Sequence, residues 1–397
     1  MNSRNCGWLA GQAETKLDSY IETQERRICS RCVMDSSDPE IRFDGDNHCN
    51  YCTQALARMK RQLLPLAERK AALDVLVARI KAEGAGKDHD CVIGVSGGVD
   101  SSMVAFEAKR LGLRPLAVHF DNGWDSELAA DNIRSVLDAL QIELQTYVVD
   151  WEQFRDLQLA FLRSSTANCE IPTDHAIFAT LFRTASRTKC RYILTGSNLA
   201  TEAIYSVAHG HYHQDLRFLR AIHRRFGTRP MSSLPTISIR QYLYYVFVRR
   251  VRQIPFLNLV SYDRDEAKRL LERELGWRDY GGKHYESVWT RFFQGYYLPR
   301  KVGCDKRRWH LSSQICAGQV RREDALKILG QPKYDPDLLR QDKEFVVKKF
   351  QITAAELEAY VSAPLVPASE FPNNNFLFHT LAPFKDIFRA IATESVT

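Results

Sequence analysis

No hydrophobic run in the 397 residues approaches the ~20 needed to span a bilayer. The longest apolar stretches, such as Tyr244–Val248, are broken by arginines, so neither a membrane span nor a membrane partner is expected. The first 28 residues lack the apolar core and small-residue cleavage site of an export signal, and a cytoplasmic location is expected. Internal repeats and low-complexity tracts are also missing. With 45% hydrophobic and 26% charged residues, their absence removes the fibrous and disordered classes and leaves a multi-part globular chain. In that setting the ten cysteines are metal ligands, buried apolar residues or reactive thiols rather than disulfides. The net charge of +7 favours anionic ligands such as nucleotides without demanding a nucleic acid. Its densest part is the arginine-rich stretch 217–252, to which the sequence assigns no role.

Six segments follow from patterning. Residues 1–26 form a polar arm, 27–60 carry two cysteine pairs, and 61–88 read as a linking helix closed by the Gly84/Gly86 cluster. From 89 to 204 strand and helix patterns alternate, with "CVIGV", "RPLAVHF", "ELQTYVVD" and "CRYILTG" as the strands. This alternation gives an α/β fold with a parallel sheet covered on both faces. Residues 205–335 read as helices and loops rich in aromatic and basic residues, and 336–397 as a helical tail with a Thr353/Glu356 capping box. Ligands of such sheets lie beyond the carboxyl ends of the strands, which directs attention to the residues after Val95, Phe120, Val149 and Thr195.

Two common phosphate motifs are missing there: no Gly-Lys-Ser/Thr follows the first strand, and no G-x-G-x-x-G opens the helix. What stands in their place is "SGGVDSS", Ser96 to Ser102. Gly97 and Gly98 allow a tight turn that aims backbone N–H groups at an anion, and the helix start adds partial positive charge. Ser96, Ser101 and Ser102 can donate to phosphate oxygens, and Asp100 can hold Mg2+. The simpler reading, a helix cap with no ligand, needs only the same serines and aspartate.

Cys29-x2-Cys32 and Cys49-x2-Cys52, sixteen residues apart, present four thiolates on two turns, the pattern of a closed structural zinc site. A redox pair is the competing reading. Cys6, Cys91 and Cys190 have no partner spacing, whereas Cys169, just before a helix at the sheet's ligand edge, is a candidate nucleophile; Cys304 and Cys316 stay unassigned.

"SGGVDSS" after "VIGV" resembles the pyrophosphate loop of the PP-loop, or N-type, ATP pyrophosphatases, whose fold is adenine nucleotide alpha hydrolase-like. The resemblance implies ATP cleavage between the α and β phosphates. It makes His119, Asp121 and Asn122 of "VHFDNGW", and Thr195, Gly196, Ser197 and Asn198 of "LTGSNLATE", candidates for the nucleotide pocket. Together with the cysteine pairs, "SSTANCEIPTDHAIFATL" and "RKVGCDKRRWHLSSQICAGQVRREDAL" resemble the N-acetyl sugar amidotransferases of bacterial lipopolysaccharide O-antigen and nonulosonic acid pathways. That resemblance, over about residues 27–340, implies conversion of an acetamido group on a nucleotide-linked sugar to an acetamidino group by way of an adenylated amide oxygen. Lys306, Arg307 and Arg308 then become candidates to steady the departing pyrophosphate. Asp174 and His175 become candidates for proton transfer at the same pocket, with Asp174 as a plain N-cap the alternative; Glu202, His284 and Glu286 are weaker candidates. No glutaminase segment is visible. Ammonia is therefore expected from a partner glutaminase with a barrel protein similar to the pair used in histidine biosynthesis. A tRNA-modifying, thiolase-like enzyme and a nucleotide sensor without chemistry are the rival readings.

Overall fold

The computed structural model describes residues 26–206, 211–378 and 380. The expected N-terminal arm apart from Arg26, with Cys6, and the end of the C-terminal tail lie outside the described residues.

Five parallel strands form one sheet: β1 Cys91–Gly94, β2 Pro115–Asp121, β3 Leu144–Val148, β4 Tyr192–Thr195 and β5 Arg252–Pro255, in the spatial order β3-β2-β1-β4-β5. The first four stand where apolar runs alternate with helical patterns. β5 was not foreseen, because its sequence "RQIP" is short, polar and ends in proline; it exists by pairing with β4, Tyr192 opposite Arg252. Proline is tolerated there because β5 is an edge strand.

Alternation along each strand divides the core. Cys91, Ile93, Ala117, Tyr192 and Leu194 face the helices Leu66–Gly84, Val99–Arg110 and Arg264–Leu275. Val92, Leu116, Val118 and Ile193 face the helix Ile171–Arg187, where Phe178 and Phe182 pack at 4.6 Å. A third cluster, with the fully buried Trp124, Phe161, Trp289 and Phe350, joins the helix Trp151–Ser164 to the later helices. Lys301 helps to close that cluster: its buried ammonium donates to the Tyr360 and Ala363 carbonyls at 2.8 and 2.7 Å, at the end of the helix Ala354–Ser362. The Thr353/Glu356 capping box opens the same helix, Thr353 N–H donating to Glu356 at 2.7 Å.

The order of winding reverses between β1 and β4. β1 leads outward to β2 and β3, whereas β4 returns to the other side of β1. The loops after β1 and β4 therefore diverge and leave a crevice at their carboxyl ends.

Candidate active site

Ser96, Gly97 and Gly98 turn the chain from β1 into the helix Val99–Arg110. Gly97 has φ +75°, and a Cβ there would come within 2.4 Å of the Ala129 carbonyl oxygen, so glycine is required on both counts. A Cβ on Gly196, after β4, would come within 3.0 Å of the Asp100 backbone, so the lack of a side chain lets this loop lie against the start of the helix Val99–Arg110. Ser101 Oγ donates to the Gly98 carbonyl at 3.1 Å and lies 3.4 Å from Ser96 Oγ, while Ser102 is buried and its N–H donates to the same carbonyl. Trp277 Nε1–H donates to the Gly97 carbonyl at 2.9 Å.

Distant residues complete this turn. The Val99 N–H, one of the amides at the helix start, donates to the Tyr280 hydroxyl at 3.0 Å. Asp100 accepts from the Tyr262 hydroxyl and faces Lys283 Nζ at 3.6 Å. Lys283 also donates to Glu202 and Thr201 at 2.9 Å each, and its charge is held: burial works against it, but Glu202 and Asp100 outweigh burial and raise its pKa. Arg264 brings buried Nε and Nη2 donors that have no hydrogen-bond partner. Two cations beside a phosphate-type turn were not legible in the sequence, since neither lies in a motif.

The crevice opens into a cavity of about 540 Å3. Of the candidates, Ser96, His119, Asn122, Thr195, Gly196, Ser197, Asp174 and Lys306 line it, as do His284 and Glu286. His119 is fixed at both nitrogens, 3.0 Å from the Val95 carbonyl and 3.0 Å from Asp125. Burial opposes its charge, yet Asp125 and Val95 prevail and raise its pKa.

Further along the cavity wall Glu170, Asp174 and Lys306 form an acid–base group. Glu170 is held by the Thr290 hydroxyl at 2.8 Å through Oε2, while its Oε1 is buried without a partner. Burial, then the neighbouring Asp174, pushes its pKa up to about 8. Burial likewise raises Asp174 to about 6, against the pull of Lys306 and His284. Lys306 is lowered by burial, with Glu170 and Asp174 opposing. Sequence reasoning passed over Glu170 although it stands in the quoted "NCEIPTDH"; its place four residues before Asp174, one helical turn away, was the available signal.

Several candidates are corrected. His175 is fully buried; its Nδ1 lies 2.7 Å from the His213 carbonyl and its Nε2 accepts from the Ile237 N–H at 3.2 Å. Burial lowers its pKa to about 4, so it is a neutral structural histidine without a free nitrogen for proton transfer. Arg307 points out of the cavity, pairing with Asp305 at 2.9 Å and donating to the Gln331 carbonyl at 3.1 Å. Arg308 grips the cysteine segment through Asp35 at 3.1 Å and the Val33 carbonyl at 2.7 Å. Asp121 accepts from the Gly123 N–H at 2.8 Å in its own turn, and Asn198 caps the short helix Leu199–Glu202 by accepting from the Thr201 N–H at 2.9 Å. Cys169 is fully buried with its pKa pushed to about 12 by that burial, and no cysteine is among the described residues lining the cavity.

Cys29, Cys32, Cys49 and Cys52 converge, with sulfur separations of 3.8 Å for Cys29–Cys52 and 3.5 Å for Cys32–Cys49. A tetrahedron of thiolates around zinc at ~2.3 Å has an edge of about 3.8 Å, so the group fits such an ion. Backbone N–H groups of Cys32, Cys49 and Cys52 point at the sulfurs, as suits thiolate ligands. Arg322 holds the Cys29 and Cys32 carbonyls, at 2.9 and 3.0 Å. Arg308 on the Val33 carbonyl and Ser312, whose Oγ accepts from the Val33 N–H at 3.1 Å, tie the cysteine segment to the helix Arg307–Cys316, whose N-cap is Lys306.

The sheet order, the glycine turn at the end of its central strand and the crevice beside it define a doubly wound parallel α/β fold with a phosphate-type turn, and the N-terminal four-cysteine cluster is able to bind a metal. Residues 286–385 match the family described as LPS biosynthesis protein WbpG-like, C-terminal domain. Solved structures similar to this chain include the U34-tRNA thiolase NcsA from Methanococcus maripaludis, at 14% identity over 81% of this chain and 88% of that one, TM-score 0.31. They also include the NH3-dependent NAD synthetase from Campylobacter jejuni, at 14% identity over 76% and 99%, TM-score 0.28. A third is the NMN synthetase from Francisella tularensis, at 13% identity over 58% and 93%, TM-score 0.27. No curated protein matches the chain in sequence. Among the described residues no helix is long and apolar enough to cross a membrane.

Proposed function

We propose that this chain is an ATP-dependent amidotransferase that converts an acetamido group of a nucleotide-linked sugar to an acetamidino group in the making of a bacterial surface polysaccharide. The observation that carries the reading is one cavity lined both by Ser96, at the start of the phosphate-type turn, and by Glu170, Asp174 and Lys306. A phosphate-holding turn and a proton-transfer group in a single enclosure suit a reaction that activates an oxygen and then adds a nitrogen nucleophile.

In the first step the amide oxygen attacks the α-phosphorus of ATP, the bond to the β-phosphate oxygen breaks, and pyrophosphate leaves. Lys283 and Arg264 hold the negative charge that develops on the departing group. Asp100 fits the single-carboxylate mode by which proteins hold Mg2+ together with substrate phosphates, and that ion would supply further charge neutralisation there. In the second step ammonia adds to the activated carbon, AMP departs with the former amide oxygen, and the added nitrogen gives up a proton to Asp174. Lys306, over the same group, steadies the carboxylates as the proton arrives. Ammonia would come from a separate glutaminase through a barrel-shaped partner.

The family described for residues 286–385 supports the polysaccharide setting, and the lining free of cysteine among the described residues supports nitrogen rather than sulfur transfer. The test is incubation with ATP, Mg2+, ammonium and UDP-linked diacetamido sugars. Mass spectrometry should show replacement of one oxygen by NH with equimolar AMP. AMP formation only in the presence of tRNA would overturn the reading in favour of tRNA modification.

A further inference from the structure

Four arginines of the stretch left without a role in the sequence line one groove, none of whose lining residues borders the cavity. Arg217, Arg220 and Arg224 lie on one face of the helix Leu216–Phe226, at the three- and four-residue spacing of successive turns, while Leu216, Phe218, Leu219 and Ile222 are buried on the other. Arg240 faces them across a groove of about 510 Å3 floored by Ala221, Ile239 and Pro372. All four arginines are exposed, and among the described residues no carboxylate pairs with any of them; Arg217 makes one long bond, 3.4 Å, to the Asn373 carbonyl.

Arg240 also borders the next hollow, together with Tyr244 and Tyr245. There the chain runs Ile239–Leu243 and on through a π-helical turn, Tyr244–Val248. Tyr245 and Val246 pack inward on the cluster below the sheet. Leu243, Tyr244 and Val248 stay outside, with Val248 64% exposed. Four arginines without acidic partners beside a row of exposed aliphatic and aromatic side chains is the composition of an interfacial membrane surface. The cations meet lipid phosphates, and the apolar side chains and tyrosine enter the headgroup layer. A nucleic acid or a free diphosphate would use the arginines and leave Leu243 and Val248 in water.

We propose that the groove between Arg217, Arg220, Arg224 and Arg240, with the adjoining Leu243–Val248 turn, docks the protein peripherally on an anionic phospholipid bilayer. This departs from the expectation of no membrane partner, which rested on the absence of a spanning segment and does not bear on surface docking. The inference stands apart from the proposed reaction.

The test is co-sedimentation of the full chain with vesicles of phosphatidylcholine alone or mixed with phosphatidylglycerol. Binding is expected only to the mixed vesicles and should weaken as salt rises. At ~1 kcal/mol, or roughly fivefold, per basic residue near the surface, Arg220→Glu with Arg224→Glu should weaken it at least ~25-fold, and Arg220→Lys with Arg224→Lys should keep it. Leu243→Ser with Val248→Ser should weaken binding to the same vesicles while circular dichroism stays unchanged. Equal binding to both vesicle types, or none to either, overturns the proposal. So does binding to mixed vesicles that ignores both the glutamate and the serine variants. Capture of tRNA or inorganic pyrophosphate by the groove, lost on Arg220→Glu with Arg224→Glu while vesicles are ignored, would assign the arginines to a soluble anion.

Discussion

Glu170→Gln isolates the energetic cost of the buried acid. The amide can still accept from the Thr290 hydroxyl, as Glu170 does at 2.8 Å, so the variant removes the ionisation and little else. In the folded chain Glu170 holds its proton up to about 8, against an ordinary value of 4.5. Because the folded value is the higher one, the stability that this proton contributes is complete below the unfolded value and is lost as pH climbs through the folded one. The gap corresponds to about 5 kcal/mol as a ceiling at 1.36 kcal/mol per pH unit. Access of water from the cavity lowers the expected loss to about 2–4 kcal/mol. Urea unfolding of both proteins near pH 5 and near pH 9 measures it: the wild type should lose about 2–4 kcal/mol more than Glu170→Gln across that interval. Parallel losses in the two proteins would refute the assignment of a protonated buried Glu170.

Asp100→Ala should abolish AMP release while the circular dichroism spectrum is kept, because the carboxylate's partners, Tyr262 and Lys283, are side chains at the rim of the turn; normal turnover would count against the mechanism. Tyr280→Phe frees the Val99 N–H for a phosphate oxygen, and calorimetry should show ATP binding about 2- to 10-fold tighter, the equivalent of one neutral hydrogen bond. Turnover should rise with pH through about 6 as Asp174 ionises and becomes able to accept a proton, and Asp174→Asn should remove that limb from the pH–rate profile. Cys49→Ser opens the four-sulfur cluster, so metal analysis should find substantially less than one zinc per chain, with a lower melting temperature, whereas retention of a full equivalent would show that the four cysteines are not the ligands.

What the sequence by itself determined was local. The first four strands were legible because apolar runs of strand length alternate with helical spacing, and the turn after β1 because Gly97 at φ +75° and close to Ala129 admits no other residue. The cysteine cluster was legible because each pair sits on one tight turn and only the closing of two turns remained to be made. The polar ends of the site were decided by tertiary structure. Tyr262 reaches Asp100 across 162 positions and Trp277 reaches Gly97 across 180, separations at which no spacing rule operates. Lys306 and Arg307 are adjacent in sequence, but successive side chains on a helix leave it about 100° apart, so one enters the cavity and the other clasps Asp305. His175 read as a base beside Asp174 and became a satisfied core histidine, because only the packed fold could bring the His213 carbonyl and the Ile237 N–H to its two nitrogens.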